Sequence, residues 1–393
     1  MENRRDFIKK SAGIAATTAA AAAVPGLTGC LGSGNKTIFK DVQWPVVEGP
    51  DTPKICFGGG LNNPQFLTDL KQAGCNYVLG GGSGRPWTVE GFREMQDRYR
   101  EFGLTMCCPM IGGINNCIYG KPGRDEEIEI VKQSIIAAGA AGIPVVEWNW
   151  YIDRLNEAYF YKEGRGGSGV TAVDYHRPID TQNWPYNPDN HGISVKDLPT
   201  RPTIDKYSVE QVWDNITYFI NAIIPVAEKA GVRMALHPND PPMPISKGNP
   251  QIITGFDGWK RLLDIAKTPF HGMTFDPGVS YEMGLNPIEV MRMMGNQMNY
   301  SHYRNVITYE PYHKYDEVFF DVGQVNMFAV MKEYFNIGYN LYIYPEHQRF
   351  FTRDATEPGQ TRIGGYPGGG GTSGLIWNVA YTRAMMQAAM STI

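Results

Sequence analysis

The sequence predicts an α/β protein whose main part is a single (β/α)8 barrel. Short apolar runs alternate with longer amphipathic segments through residues 51–393, and eight of the short runs can be distinguished. Several amphipathic segments end on a glycine just before the next apolar run, as the C-cap of a helix does. Strands that alternate with helices form a parallel sheet, and eight such strands close into a barrel.

The eight predicted strands are KICFGGG (54–60), NYVLGGG (76–82), LTMCCPM (104–110), PVVEWNW (144–150), VRMALHP (232–238), GMTFDPG (272–278), MNYSHYRN (298–305) and NLYIYPEH (340–347). The segments predicted as helices between them include PQFLTDLKQAG, TVEGFREMQDRYREFG, NITYFINAIIPVAEKAG and NPIEVMRMMG. An open doubly wound sheet would instead require a G-x-G-x-x-G turn after its first strand. The sequence GGGLNN at 58–63 does not provide that turn.

One connection, residues 151–205 after the fourth strand, is much longer than the others. A connection of this length is either functional or disordered. Its richness in Tyr, Trp, Asn, Pro and Gly favours an ordered insertion that covers the mouth of the barrel.

The N-terminus predicts export. Two arginines in NRRDFIKK precede the Ala-rich run AGIAATTAAAAAVPGL, which is the layout of a twin-arginine signal peptide over residues 1–29. The following Leu-Thr-Gly-Cys resembles a bacterial lipobox, so Cys30 is the predicted lipidated residue and residues 30–50 the tether. A lipid chain anchors a protein without crossing the bilayer. The prediction is therefore a periplasmic lipoprotein that touches the membrane through its anchor alone.

The net charge and the cysteine content argue against a nucleic-acid-binding protein, a disulfide framework and a zinc knuckle. The net charge is −4, and removal of residues 1–29, with four basic and two acidic side chains, makes it −6. A nucleic-acid-binding protein needs a basic face, so no nucleic-acid partner is expected. The cysteines after Cys30 are five in number and form no C-x-x-C, which predicts neither a disulfide framework nor a zinc knuckle.

The candidate site follows from the position of polar residues at the carboxyl ends of the predicted strands, where barrel enzymes build their active sites. These residues are Glu147, His237, Asp276, His302, Glu346 and His347. Mixed carboxylate and imidazole ligands suit Mn²⁺, Mg²⁺, Zn²⁺ or Fe²⁺, and the lack of a thiolate favours a harder ion. We therefore predict a metal site formed by His237, Asp276, His302 and Glu346.

Each ligand taken alone also has a structural explanation. A histidine at a strand end is often only hydrogen-bonded, Asp276 before Pro-Gly can organise a turn, and Glu346 can pair with Arg349. Their occurrence at successive strand ends is what favours the metal site.

Four segments together resemble the D-mannonate dehydratase family, which belongs to the xylose-isomerase-like barrel superfamily. They are MALHPNDPPMPI (234–245), SHYRNV (301–306), YHKYDEVFFDVGQVNMFAVMKEY (312–334) and YPEHQR (344–349). The resemblance runs from about residue 55 to 385 and is dense after residue 231.

The resemblance implies a divalent ion, typically manganese, bound through a His, a Cys, a His and an Asp. Those positions fall on His237, Asp276, His302 and Glu346, so two ligands differ from the family pattern. Asn239, Gln324 and Asn326 also depart from it. The family's proton-transfer residues correspond to His347 and Tyr366, and substrate-binding roles are expected for Glu147, Arg304 and His313.

The implied activity is that of a hydro-lyase that dehydrates D-mannonate to 2-keto-3-deoxy-D-gluconate. The changed ligands Asp276 and Glu346 resemble those of sugar isomerases and epimerases, so an isomerase, an epimerase or a lyase acting on oxidised keto-sugars is the alternative. A lipid-anchored sugar-binding protein without catalysis is a third hypothesis, suggested by the aromatic insertion. The expected partner is a sugar acid or oxidised sugar, and a homo-oligomer is left open.

Overall fold

The structure, a computed structural model, describes residues 48–81, 84–180, 188–356 and 367–392. The predicted signal peptide, Cys30 and Tyr366 lie outside these ranges. The predicted α/β barrel is confirmed, because nine of the described strands between Lys54 and Tyr344 form one parallel sheet covered by helices.

The strands are short and are joined by helices in the predicted alternation. They are β1 (Lys54–Phe57), β2 (Tyr77–Val78), β3 (Thr105–Met106), β4 (Met110–Ile111), β5 (Val145–Trp148), β6 (Tyr159–Glu163), β7 (Gly169–Asp174), β8 (Arg233–Leu236), β9 (Ile245–Ser246), β10 (Asn249–Pro250), β11 (His271–Phe275), β12 (Met298–His302), β13 (Asn305–Glu310), β14 (Lys314–Val318) and β15 (Tyr342–Tyr344). The α-helices are α1 (Pro64–Gln72), α2 (Val89–Arg100), α3 (Asn115–Tyr119), α4 (Arg124–Ala140), α5 (Val209–Ala230), α6 (Phe256–Leu263), α7 (Pro277–Glu282), α8 (Pro287–Met294), α9 (Met327–Asn336), α10 (Arg353–Thr356) and α11 (Thr372–Met390).

The order of strands shows how the barrel closes. The parallel sheet runs β3-β2-β1-β15-β12-β11-β8-β5-β4. Its two ends, β3 and β4, belong to one segment, since the predicted third strand is interrupted at Cys107-Cys108-Pro109. Backbone bonds from Cys107 N to Val78 O (2.9 Å) and from Glu147 N to Pro109 O (3.0 Å) join this segment to β2 and β5. Eight strand positions therefore close the barrel, with the third strand in two pieces.

Most of the predicted strands end earlier than expected, and two of these ends concern the predicted ligands. The strand predicted over 298–305 stops at His302, and the one predicted over 340–347 stops at Tyr344. Proline has no N–H for the ladder, so Pro345 cannot continue the strand, and Glu346 lies in the loop beyond it. The predicted ligands are thus rim residues of the barrel.

A second sheet, which the sequence reasoning missed, stands beside the barrel. It is antiparallel, has the order β13-β14-β7-β6, and combines the hairpin after β12 with the described part of the insertion. Apolar residues of the insertion form a small second core together with Met243 and Tyr315; they are Leu155, Ala158, Tyr159, Val173, Ile179, Val195 and Leu198. The insertion is therefore packed structure over the part that is described.

The main core lies between the strands and the surrounding helices, and β11 and β12 are buried along their whole length. Inside the barrel, Cys56, Cys107 and Cys108 pack with Val145, Ala235 and Tyr300. The described cysteines are free and buried, which confirms that they form no disulfide framework. Among the described residues, no helix combines the length and apolarity needed to cross a bilayer.

Candidate metal centre

Four side chains meet at the carboxyl-terminal rim of the barrel. His237 and Asp276 directly follow β8 and β11, His302 ends β12, and Glu346 lies two residues beyond β15. These strands are neighbours in the sheet, so their ends share one rim. One ligand atom from each of the four buried residues lies within 4.8 Å of the others. The structure therefore brings together the whole predicted ligand set.

The ring nitrogens are oriented for a cation. His237 Nδ1 lies 2.7 Å from the carbonyl oxygen of Pro238, so Nδ1 carries the proton and Nε2 keeps a lone pair. His302 Nε2 lies 3.2 Å from Glu147 Oε1, although at an angle unsuited to a good hydrogen bond. Because Glu147 is the nearby acceptor, it favours the tautomer of His302 that carries its proton on Nε2. The lone pair of Nδ1 then faces the cluster.

The lone pairs converge on one point. His302 Nδ1 lies 3.1 Å from His237 Nε2, 2.6 Å from Glu346 Oε1 and 3.9 Å from Asp276 Oδ2. A single proton on Nδ1 can be donated to only one of these acceptors, whereas a divalent cation accepts electron pairs from all of them. The residues present thus fit a divalent metal with two nitrogen and two oxygen ligands.

The electrostatics of the cluster also favour a cation. Burial raises the pKa of Glu346, but His302, His347 and Arg304 outweigh it and hold the pKa well below its usual range. Burial, together with His302, lowers the pKa of His237. An ionised carboxylate and a neutral imidazole are the forms in which these side chains bind metals.

Arg304, the residue expected to bind the substrate carboxylate, lies buried among protein carboxylates. Its Nε lies 2.9 Å from Asp276 Oδ2 and its Nη2 lies 2.9 Å from Asp240 Oδ2. Its Nη1 lies 2.9 Å from Glu317 Oε1 and 3.2 Å from Glu282 Oε1. Its contact with substrate stays a prediction. The structure shows that its guanidinium donates to Asp276, the predicted metal ligand, and so fixes the position of that carboxylate.

The sequence reasoning missed the carboxylates Asp240, Glu282 and Glu317. Burial raises the pKa of Asp240, but Arg304 outweighs it and the pKa is lowered, so this residue is ionised. Burial, reinforced by neighbouring carboxylates, raises the pKa of Glu282 well above its usual range. The Asp240-Pro-Pro sequence signals only a rigid loop, and nothing in the sequence pairs these residues with Arg304.

His347 lies beside the metal cluster. Its Nδ1 lies 2.7 Å from Glu317 Oε2, and its Nε2 lies 3.5 Å from Glu346 Oε2. Its backbone has φ +48°, an uncommon value for a residue other than glycine, and such conformations concentrate at functional sites. Burial lowers the pKa of His347, but Glu317 and Glu346 outweigh it and raise the pKa overall.

Arg349 does not pair with Glu346, which corrects the structural explanation considered for that carboxylate. Its Nη2 lies 3.1 Å from Glu317 Oε2, and its Nη1 donates to Glu317 O (2.9 Å) and to Thr171 Oγ1 (2.8 Å). Arg349 and Arg304 therefore hold Glu317 from two sides, and Glu317 in turn fixes His347.

The remaining predicted site residues lie in different places. Glu147 is buried in β5 next to His302 and accepts a hydrogen bond from Thr274 Oγ1 (3.0 Å), so it adjoins the metal cluster. His313 lies in the turn between β13 and β14, next to Glu310, and is not one of the four clustered ligands. Tyr366 and Cys30 lie outside the described residues.

Comparison with known proteins connects this site to one family. Residues 55–386 match the family model described as D-mannonate dehydratase (UxuA). The chain is 30% identical over 325 residues to the mannonate dehydratase of Streptococcus suis strain 05ZYH33, covering 76% of this chain and 86% of that protein. It is 28% identical over 298 residues to mannonate dehydratase 2 of Halalkalibacterium halodurans, covering 70% and 83%.

Solved structures agree with the sequence matches. The crystal structure of mannonate dehydratase from Streptococcus suis serotype 2 superimposes with a TM-score of 0.72 at 26% identity, covering 87% of this chain and 94% of that chain. A xylose isomerase-like TIM barrel protein from Mycobacterium smegmatis, solved in complex with magnesium, gives a TM-score of 0.54 at 11% identity, covering 88% and 100%. The second likeness concerns the fold alone.

Replacing Glu346 by Gln tests the metal cluster. The change keeps the size of the side chain but removes the anionic oxygen that lies 2.6 Å from His302 Nδ1. Even second-sphere changes weaken metal affinity by about 10–100-fold, so we expect at least about a tenfold loss of Mn²⁺ affinity. Isothermal titration of metal-stripped protein with MnCl₂ measures it. Glu163→Gln, an exposed carboxylate on β6, is the control. Wild-type affinity in Glu346→Gln would contradict the assignment.

Replacing Asp240 by Asn tests the buried charge cluster. Losing the charged hydrogen bond to Arg304 is expected to lower the free energy of unfolding by about 1–3 kcal/mol at pH 7. Because the folded pKa of Asp240 is lowered, its stabilisation is complete above the unfolded value of about 3.9 and is lost as pH falls through the lower folded value.

Urea unfolding from pH 7 to pH 3 measures both effects, with the exposed Asp214→Asn on α5 as control. The wild type should lose more stability than Asp240→Asn in the acid range. An equal loss in the two proteins would show that Arg304 does not depress this pKa.

Proposed function

Because the chain belongs to the D-mannonate dehydratase family, we propose that it is a metal-dependent hydro-lyase that converts D-mannonate into 2-keto-3-deoxy-D-gluconate and water. The observation that carries the proposal is the four-ligand cluster at the barrel rim, with a histidine of fixed orientation beside it. Family membership names the sugar acid, and the cluster supplies a place for the ion that such a reaction uses.

The proposed ion is Mn²⁺, with Mg²⁺, Fe²⁺ or Zn²⁺ as alternatives, held by His237, Asp276, His302 and Glu346. When bound, it would serve as a Lewis acid that polarises the substrate carboxylate and makes the proton on the neighbouring carbon more acidic. The mixed oxygen and nitrogen donors, without a thiolate, support a hard or borderline ion.

His347 is proposed to transfer the proton. Its Nδ1 is directed at the Glu317 carboxylate and its Nε2 lies 3.5 Å from Glu346 Oε2, so the ring lies at the edge of the metal cluster, where a substrate bound to the ion would be placed. The proton on C2 and the hydroxyl on C3 leave as water, and the resulting enol takes up a proton at C3 to give the 2-keto acid. Tyr366 is proposed as the partner acid or base on the strength of the family resemblance.

Of the substrate-binding residues expected from the sequence, Glu147 and Arg304 are retained in the proposal, whereas His313 lies next to Glu310 in the turn between β13 and β14, so nothing in the structure supports its substrate contact. Glu147 has the best support, because its buried carboxylate adjoins the metal cluster. For Arg304 the structure supports an additional task, since the same guanidinium fixes Asp276 and Glu317.

A second candidate is a sugar isomerase or epimerase acting on a neutral or keto-sugar. It is favoured by the two carboxylates of the cluster, Asp276 and Glu346, where the family pattern has one carboxylate and one thiolate. Both reactions remove a proton beside a carbonyl or carboxylate group, so the chain's residues would play the same parts.

Turnover of D-mannonate is the direct test. The manganese-loaded protein without its first 30 residues is incubated with D-mannonate in deuterated water and followed by NMR. We expect the 2-keto-3-deoxy acid with deuterium at C3. His347→Asn should lower kcat by about 10²–10⁴-fold, the usual contribution of general acid–base catalysis. Glu317→Gln should lower kcat by less and leave KM nearly unchanged, because it acts through His347.

His191→Asn, an exposed histidine of the insertion, is the matched control and should keep wild-type turnover. No turnover by protein that still binds manganese would contradict the dehydratase proposal. The same sample would then be tested for solvent deuterium exchange into neutral and keto-sugars, where exchange would support the second candidate.

We also infer that the protein is exported by the twin-arginine route and anchored in the periplasm through Cys30. The support is the sequence of residues 1–30. Expressed at full length in a bacterium with that export route, the wild type should be found in the membrane fraction. Cys30→Ala should shift to the soluble periplasm, and Arg5→Lys combined with Arg4→Lys should stay in the cytoplasm. Unchanged fractionation of either variant would contradict the corresponding part of the proposal.

A further inference from the structure

A second group of metal-binding side chains lies away from the barrel rim, at the outer end of the antiparallel sheet. His176, Glu310 and His313 each offer one ligand atom, and these atoms lie within 4.8 Å of one another. His313 Nδ1 lies 2.9 Å from Glu310 Oε1, and His176 Nε2 lies 3.6 Å from the same oxygen. None of the three is a ligand of the barrel cluster.

We propose that His176, Glu310 and His313 form a separate zinc site that cross-links the insertion to the β13–β14 hairpin. Zinc bound to nitrogen and oxygen at about 2.0–2.1 Å in a tetrahedron places its ligands about 3.3 Å apart. The two measured separations, 2.9 and 3.6 Å, lie on either side of that value. Water completes the coordination, since three protein ligands leave the fourth position open.

The backbone holds the three residues in place. β7 and β14 pair with Asp174 opposite Lys314, and the backbone N–H of Tyr175 donates to the carbonyl oxygen of His313 at 2.8 Å. Glu310 is opposite Lys314 in the β13–β14 pair. Ladder bonds fix the backbone positions from which the three side chains extend, which reduces the cost of ordering them around an ion.

Ring contacts set the orientation of the imidazoles. The ring of Tyr175 stacks on His313 with centroids 5.1 Å apart and an interplanar angle of 12°. His176 meets His313 edge to face, with centroids 5.6 Å apart. The set of two imidazoles and one carboxylate is a zinc set, and such ligands bind zinc more tightly than manganese or magnesium.

A zinc ion at this site would change the rigidity of the antiparallel sheet. His176 lies at the end of the insertion strand β7, whereas Glu310 and His313 lie more than 130 positions later in the chain. The other end of β14 carries Glu317, which holds His347. An ion at the outer end would therefore stiffen the sheet whose inner end supports the proton-transfer histidine.

The test measures the number of zinc ions bound per chain. Metal-stripped protein is titrated with ZnCl₂ by calorimetry, and bound zinc is confirmed by mass spectrometry of the intact protein. The wild type should bind two ions per chain, whereas His176→Gln and Glu310→Gln should each bind one. His191→Gln, an exposed histidine of the same insertion, should bind two. With zinc present the wild type should also unfold at a higher temperature than His176→Gln.

One result would overturn the proposal: the same zinc content in the wild type and in His176→Gln. Glu346→Gln separates the sites, because it should weaken the barrel ion and leave the surface ion unchanged. The readout is metal content, so it is independent of whether D-mannonate is turned over.

Discussion

The site depends on one buried guanidinium. Arg304 is 1% exposed and lies within 3.2 Å of carboxyl groups from Asp240, Asp276, Glu282 and Glu317, which come from three different segments of the chain. Removing a cation from water is costly unless its donors are satisfied, so folding brings these segments to a common point. Asp276 is thereby fixed on its Oδ2, while its Oδ1 accepts from Val279 N (2.9 Å) and caps α7. A metal ligand that is held on both oxygens cannot rotate away when the ion leaves.

The same guanidinium links the metal cluster to His347, the proposed proton-transfer residue. Arg304 and Arg349 both bind Glu317, and Glu317 holds the ring of His347. The metal cluster and His347 are thus held by one network with its members drawn from the barrel and the antiparallel sheet. Such coupling means that the effects of mutations within the network are not expected to add.

The sequence predicted the part of the site that follows from periodicity. Strand ends can be read from apolar runs, and in a barrel they share one rim, so His237, Asp276, His302 and Glu346 were found together. Glu317 was missed because it lies on the hairpin strand β14, whose pairing with the insertion joins residues far apart in sequence. Asp240 and Glu282 were missed because their contacts with Arg304 also join residues far apart in sequence. The break of the third strand at Cys107-Cys108-Pro109 concerns hydrogen bonds across the barrel, which no local pattern reports.

The barrel has two sides that differ in the length of their paired strands, and the broken third strand lies on the side with the short ones. On one side β2, β3 and β4 contain only two paired residues each, whereas on the other side β8, β11 and β12 run for four or five residues and are buried throughout or nearly so. Thermal fluctuations open a ladder first where it is shortest. The predicted ligands lie on the side with the longer strands or next to it. Local opening at the short strands β2, β3 and β4 would therefore leave the geometry of the metal centre unchanged.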